Sequence, residues 1–175
     1  MCGIIAGISN SNVIPNLIKG LKKLEYRGYD SAGLAWISHN AISRSRAVGR
    51  VAKLEKKINK ISTQIAIAHT RWATHGEVSE KNAHPHMSYS DDLCICVVHN
   101  GIIENHTKLK KHLVSKGYFF SSSTDTEVIA HLLHFERKKN TSLKKAINEV
   151  RKKLIGAYAI VAISNKDINK ICSIK

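Results

Sequence analysis

The sequence predicts a layered α+β fold, sheets covered by helices, and three observations carry that expectation. Short apolar runs bounded by turn residues come in pairs, as strands do. Stretches with apolar residues at 3.6-residue spacing come in pairs between them, as helices do. The chain has 175 residues and is 43% hydrophobic, enough to bury one sizeable core. Paired strands alternating with paired helices hide their apolar faces by stacking in layers.

The elements follow in order. Residues 2–8, Cys2-Gly3-Ile4-Ile5-Ala6-Gly7-Ile8, read as a buried strand. Residues 16–25 read as a helix, with Leu17, Ile18, Leu21 and Leu24 on one face. Residues 34–37 and 41–46 are two strands joined by a turn at Ser38-His39-Asn40, and 51–61 a second helix. A short apolar strand at 65–69 opens a long polar stretch from Arg71 to Asp92. A loop of that length in a compact domain is usually functional. Residues 93–98 return as a buried strand, and 104–115 as a helix. Thr124-Asp125-Thr126-Glu127 has capping-box form, Thr124 to Glu127, ahead of a helix reaching about residue 135. A helix over 141–154 and strands over 157–163 and 170–174 complete the chain. The sequence stops inside that last strand, and it is expected to be a fragment of a longer protein.

The formal net charge of +15 invites a nucleic-acid reading. The lysines, however, lie on expected helix faces, as in Lys53-Leu54-Glu55-Lys56-Lys57 and Lys108-Leu109-Lys110-Lys111, without interleaved aromatics, which make up 6% of the chain. A solvated basic surface is the expectation, with no nucleic-acid partner. No stretch approaches the about 20 apolar residues of a membrane span, and no secretory leader is expected. Cys2, Cys94, Cys96 and Cys172 suggest neither a disulfide framework nor a zinc ribbon. A reducing, cytoplasmic setting is expected.

Several segments carry residues that make poor structural filler. Cys2 directly follows Met1. Once Met1 is removed, a thiol nucleophile and a free α-amine share one residue, titrating near about 8.5 and about 7.7–8.0. A terminal amine can serve as base for its own side chain; a cysteine packed in a first strand is the other reading. In Glu25-Tyr26-Arg27-Gly28-Tyr29-Asp30-Ser31-Ala32-Gly33, Gly28 breaks the helix and Arg27 and Asp30 fall near the turn. In Ala68-His69-Thr70-Arg71-Trp72-Ala73-Thr74-His75-Gly76, a guanidinium with hydroxyl and imidazole donors can grip a carboxylate. Asn100-Gly101, expected at a strand-to-helix junction, can aim a side-chain amide and a backbone N–H at one point, as an oxyanion hole requires; an ordinary turn is the other reading. Asp125 supplies an acid at a helix start. A nucleophile, oxyanion donors, a carboxylate clamp and a counter-charge for an ammonium fit an amino acid with a side-chain amide, and glutamine is such a molecule. His84-Pro85-His86, Cys94, Cys96 and His99 are candidate metal ligands, but Cys94 and Cys96 stand at i, i+2 on a strand and lack the loop spacing of a structural zinc site. No metal and no cofactor is expected.

These blocks, with Asn82-Ala83-His84-Pro85-His86 and Thr124 to His131, closely resemble the class II (N-terminal nucleophile) glutamine amidotransferases. Within that family they are similar to the glutaminase domain of the glutamine–fructose-6-phosphate aminotransferases. The resemblance runs over essentially the whole chain. It implies a four-layer αββα sandwich of the N-terminal-nucleophile hydrolase type, with residues 2–175 as part of a glutaminase domain. It implies that Cys2 forms a γ-glutamyl thioester and releases ammonia. Asn100 and the Gly101 N–H would form the oxyanion hole, and Arg71, Thr74 and His75 would hold the α-carboxylate. Asp125 would hold the α-ammonium, Trp72 would close over the site, and Arg27 would support the N-terminus. The family's glutaminase domain continues beyond residue 175, and sugar-isomerase domains follow it. Fructose 6-phosphate and a homodimeric assembly belong to that longer protein. Another class II amidotransferase and an inert basic binding fragment are the competing readings.

Overall fold

The computed structural model describes residues 2–72, 77–139 and 142–175. Strand β1 (Gly3–Ile8) leads into helix α1 (Ile14–Leu24) and a 3-10 turn over Glu25–Arg27. Strands β2 (Ser31–Ser38) and β3 (Ala41–Val48) form a hairpin, followed by α2 (Val51–Ile58) and β4 (Ile65–Arg71). Then come β5 (His86–Ser90), β6 (Leu93–Ile103), α3 (His106–Val114), α4 (Asp125–Lys139), α5 (Leu143–Arg151), β7 (Gly156–Ser164) and β8 (Cys172–Ile174). The strands form two antiparallel sheets, in the orders β1-β4-β2-β3 and β5-β6-β7-β8.

Three apolar clusters give four layers. Leu17, Ile18 and Leu21 of α1 and Val51, Leu54 and Ile58 of α2 pack on Leu34, Ala66 and Ala68 of the first sheet. Each such side chain contributes roughly 1.5–3 kcal/mol by leaving water. Ile95 and Val97 of the second sheet pack against Leu113, Ile129, Leu133 and Ile147 of α3, α4 and α5. Between the sheets lie Ala35, Ile37, Ile65 and Ile67 from one side and Cys96, Val98 and Ile163 from the other. The α+β class and the αββα layering expected from the sequence are both present. Side chains alternate across a strand, so β4 sends Ile65 and Ile67 between the sheets and Ala66 and Ala68 toward the helices. With both faces covered, all seven β4 residues are buried. Lys53, Lys56 and Lys57 are exposed on the side of α2 away from Val51, Leu54 and Ile58, the solvated arrangement expected of the basic residues.

Several boundaries differ from the sequence expectation, each for a local reason. Helix α1 starts two residues early, because the Ile14 N–H donates to Asn12 Oδ1 (3.1 Å) and Pro15 sits in the first turn, where its missing N–H costs nothing. The expected loop from Arg71 to Asp92 contains strand β5, paired with β6 from His86↔Val97 to Ser90↔Leu93. Strand β6 runs on to Ile103, so Asn100 and Gly101 lie inside a strand rather than at a strand-to-helix junction. The capping box is displaced: Glu127 accepts the Ser121 and Ser122 N–H groups, and the Thr124 N–H goes to Ser122 Oγ. The last strand forms over Cys172–Ile174, at the edge of its sheet beside β7. No helix among the described residues is long and apolar enough to cross a membrane.

Candidate active site

Alternation along β1 and β4 builds the site. Ile4 points between the sheets, so Cys2 does too, and the register Gly3↔Thr70 places it opposite Arg71. Along β4, His69 and Arg71 share the inter-sheet face of Ile65 and Ile67. From the opposing sheet, Asn100 continues the inter-sheet face of Cys96 and Val98. Chain segments far apart in sequence therefore converge at one end of the inter-sheet space.

The thiol is bracketed by the backbone of Trp72: the Trp72 N–H donates to Cys2 Sγ at 3.3 Å, and Sγ lies 3.6 Å from the Trp72 carbonyl. Gly28 makes this approach possible, because a Cβ there would stand 2.8 Å from Trp72 N and 2.9 Å from the Arg71 carbonyl carbon. The Asp30 N–H donates to the Arg71 carbonyl (3.0 Å) and fixes the same strand end. Thus the segment from Tyr26 to Ser31 seats the backbone that faces the thiol. The Asn100 side-chain nitrogen donates to the Cys2 carbonyl oxygen at 3.2 Å. An amide NH2 has two hydrogens, so one remains for a second acceptor beside the thiol. Gly101 adopts φ +117°, and a Cβ there would meet the Ala157 oxygen at 2.1 Å, so only glycine fits.

Cys2 lies between two cavities. One, of about 30 Å³, is bordered by Cys2, Arg71, Trp72, Gly101 and Asp125. The other, of about 540 Å³, is bordered by Cys2, Arg27, Leu24, Asn100 and Ile160. Asp125 is buried; its Oδ2 accepts the Ile103 N–H at 2.8 Å, and the residue borders the smaller cavity. Burial pulls the Arg71 guanidinium below its ordinary value, and the neighbouring Cys2, Asp30 and Asp125 oppose that shift. The structure therefore brings Cys2, Arg27, Arg71, Trp72, Asn100, Gly101 and Asp125 together. Met1, Thr74 and His75 lie outside the described residues.

Beneath these residues lies a group of histidines that the sequence reading either passed over or weighed as metal ligands. His69, His84, His86 and His99 are all buried. His84 Nε2 meets Thr126 Oγ1 (3.1 Å), His99 Nδ1 meets the same hydroxyl (3.0 Å), and His86 Nε2 meets Thr124 Oγ1 (3.0 Å). His69 Nε2 meets Asn100 Oδ1 (2.9 Å) and the His99 carbonyl (3.0 Å). Burial pushes His69 and His86 down to about 3 and His84 well below its ordinary value, so these rings are neutral at physiological pH. The 4.0 Å approach of His99 Nδ1 to Asp125 Oδ1 would be an ion pair only with a protonated ring, which burial disfavours. Burial also raises Cys94 to about 11 and raises Cys96 further. The signal that could have found the histidines is their spacing: His69, His84, His86 and His99 sit on inward positions of strands or at strand ends.

Comparison with known proteins points the same way. The family model of the glutamine amidotransferase domain matches residues 69–173. A glutamine–fructose-6-phosphate aminotransferase [isomerizing] of Buchnera aphidicola is 55% identical over 98% of this chain and 28% of its own length. The protein of the same name from Francisella tularensis is 51% identical over 100% of this chain and 29% of its own. The chain thus spans less than a third of these curated relatives. Among solved structures, glutamine phosphoribosylpyrophosphate amidotransferase of B. subtilis superposes with a TM-score of 0.81 at 27% identity, over 94% of this chain and 35% of that one.

Proposed function

The chain belongs to the family of glutamine amidotransferase domains, and we propose that it hydrolyses the side-chain amide of glutamine through Cys2. The observation that carries this reading is the convergence on one thiol of the Trp72 N–H at 3.3 Å and, through the Cys2 carbonyl, the Asn100 amide at 3.2 Å. Cys2 Sγ attacks the amide carbon, and the Cys2 α-amine, freed by loss of Met1, takes the thiol proton. Negative charge grows on the amide oxygen and is met by the second Asn100 N–H and the Gly101 N–H. The C–N bond then breaks, the nitrogen takes the proton and leaves as ammonia, and a γ-glutamyl thioester remains. Water cleaves the thioester to glutamate and returns the thiol. Arg71, with Thr74 and His75, holds the α-carboxylate; Asp125 holds the α-ammonium. Trp72 covers the site, and Arg27 supports the N-terminal strand from the side of the larger cavity.

In this reading residues 2–175 are part of a glutaminase domain. Ammonia passes to fructose 6-phosphate held by further domains of a longer, homodimeric cytoplasmic protein, giving glucosamine 6-phosphate; the relatives' names support that assignment. The test is Cys2→Ala. Glutamate release should fall to background, while ammonia-dependent synthesis by the longer protein persists, because a thiol is needed only for amide cleavage. Equal loss of both activities would mark Cys2 as structural.

A further inference from the structure

We infer that His69 is a positioning residue whose Nε2–H holds the Asn100 amide with its nitrogen, not its oxygen, toward the nucleophile. The inference rests on the glutaminase reading for its kinetic consequence, but the geometry stands without it. His69 is 1% exposed, and its Nε2 lies 3.0 Å from the His99 carbonyl oxygen and 2.9 Å from Asn100 Oδ1. A backbone carbonyl can only accept, so Nε2 carries the ring hydrogen. That hydrogen is shared with the Asn100 side chain, whose near atom must then also accept, and is therefore oxygen. At the far end of the amide the partner is the Cys2 carbonyl, 3.2 Å away, which again only accepts. Two acceptor-only carbonyls thus fix both the ring tautomer and the amide orientation, two assignments that heavy-atom positions alone leave open.

The ring is itself held. His69 stacks on His84 with centroids 4.1 Å apart and planes 25° from parallel. The His99 N–H donates to His84 Nδ1 (3.4 Å), so His84 carries its hydrogen on Nε2 and donates to Thr126 Oγ1 (3.1 Å). Thr126 in turn donates to His99 Nδ1 (3.0 Å). Hydrogen bonds of one sense therefore lead from the residue beside Asp125 to the strand that carries Asn100. Burial keeps the His69 ring neutral at working pH. With the amide so fixed, the remaining Asn100 N–H is available to a developing oxyanion; flipped, it would present a lone pair to that charge.

The test replaces the donor and keeps the shape. His69→Phe retains a ring to stack on His84 but has no N–H; His69→Gln retains an N–H donor. His69→Phe should lower kcat for glutamine hydrolysis at least about tenfold, toward the about 10²–10³ lost with a whole oxyanion donor, and leave KM within about twofold. His69→Gln should recover part of kcat. Adding Asn100→Ala to His69→Phe should cost much less than Asn100→Ala alone. Alkylation of Cys2 by iodoacetamide and the unfolding midpoint report whether the variants fold. A folded His69→Phe protein with wild-type kcat would overturn the inference. So would variants that lose alkylation, cooperative unfolding and activity together, which would make His69 structural only. An activity-independent arm is the ¹⁵N–¹H spectrum of the unmodified chain, where His69 should appear as the neutral Nε2–H tautomer at pH 7. An Nδ1–H or cationic His69 overturns the inference whatever the activity; an inactive chain showing the expected tautomer counts against the glutaminase reading alone.

Discussion

Arg71 and Asn100 come to Cys2 from opposite sheets, and their substitutions should divide between the two kinetic constants. In the proposed reading Arg71, buried opposite Cys2 on β4, meets a carboxylate that is present in substrate and transition state alike. Arg71→Lys keeps the charge and loses the planar fork, so the KM for glutamine should rise more than kcat falls. In the same reading Asn100 meets charge that exists only in the transition state, so Asn100→Ala should cost kcat about 2.7–4 kcal/mol with little change in KM. Steady-state rates of glutamate release separate the two, and swapped outcomes would exchange the roles. These residues were legible in the sequence because each is poor filler: a Cys beside Met1, an Arg and Trp at a strand end, an Asn before a glycine. His69 was not: its spacing along β4 marks only an inward-facing ring, and its contribution runs through a partner 31 positions away.

At the scale of elements, the start of α4 shows how a residue inside a helix can hold the loop that leads into it. The Glu127 carboxylate accepts four bonds, from the N–H and hydroxyl of Ser121 (2.9 and 2.8 Å) and of Ser122 (both 2.7 Å). Burial alone would raise its pKa, but His131 and the bonds from Ser122 and Ser121 outweigh that and hold it well below the carboxylate range. Glu127→Gln keeps the shape but replaces one acceptor oxygen by a donor that faces donors. Bonds to a charged acceptor are worth about 1.5–3 kcal/mol each, so the variant should lose at least about 2 kcal/mol, read as a lower denaturant midpoint. An unchanged midpoint would mean that the segment over 121–124 is not held by this carboxylate. The same element explains why β5 escaped the sequence reading. Its inward residues are His86 and Ser88, bonded to Thr124 and to His131 of α4. Hydrophobic periodicity finds strands by apolar burial, and a strand whose buried face is polar reads as a loop. The extension of β6 through His99, Asn100 and Gly101 was hidden in the same way. Helices α1 and α2 and strand β4, whose buried faces are apolar, stood out.

Across the whole molecule, buried histidines lie both between the sheets, at His69, and on the α4 side of the second sheet, at His86 and His134, and together they should set the acid limit of the fold. His69 and His86 are pushed down to about 3 and His134 to about 4 by burial, and His84 moves the same way. An unfolded histidine titrates near about 6.5. Above that pH neither state is protonated, and these rings leave stability unchanged. As the pH falls through about 6.5, the unfolded chain takes up protons that the folded chain refuses, so stability declines until the depressed folded values are reached near 3. Each ring contributes a slope of roughly 1 kcal/mol per pH unit. Four such rings lose several kcal/mol by pH 5, a large share of the about 5–15 kcal/mol that a domain has in total. The carboxylate of Glu127, held low, adds to the loss once the pH falls through the ordinary glutamate value of about 4.3, where the unfolded chain takes up a proton that the folded one refuses. Urea midpoints at pH 7.5 and 5.0 should therefore differ strongly, with about three to four protons bound on unfolding near pH 5. His84→Gln, which removes one titrating ring, should flatten the slope by about one proton even if it lowers stability at pH 7.5. Equal midpoints at the two pH values would mean that these rings take up protons in the folded protein over the same range as in the unfolded chain. The tautomer argument that orients Asn100 would then lose its neutral ring in that range.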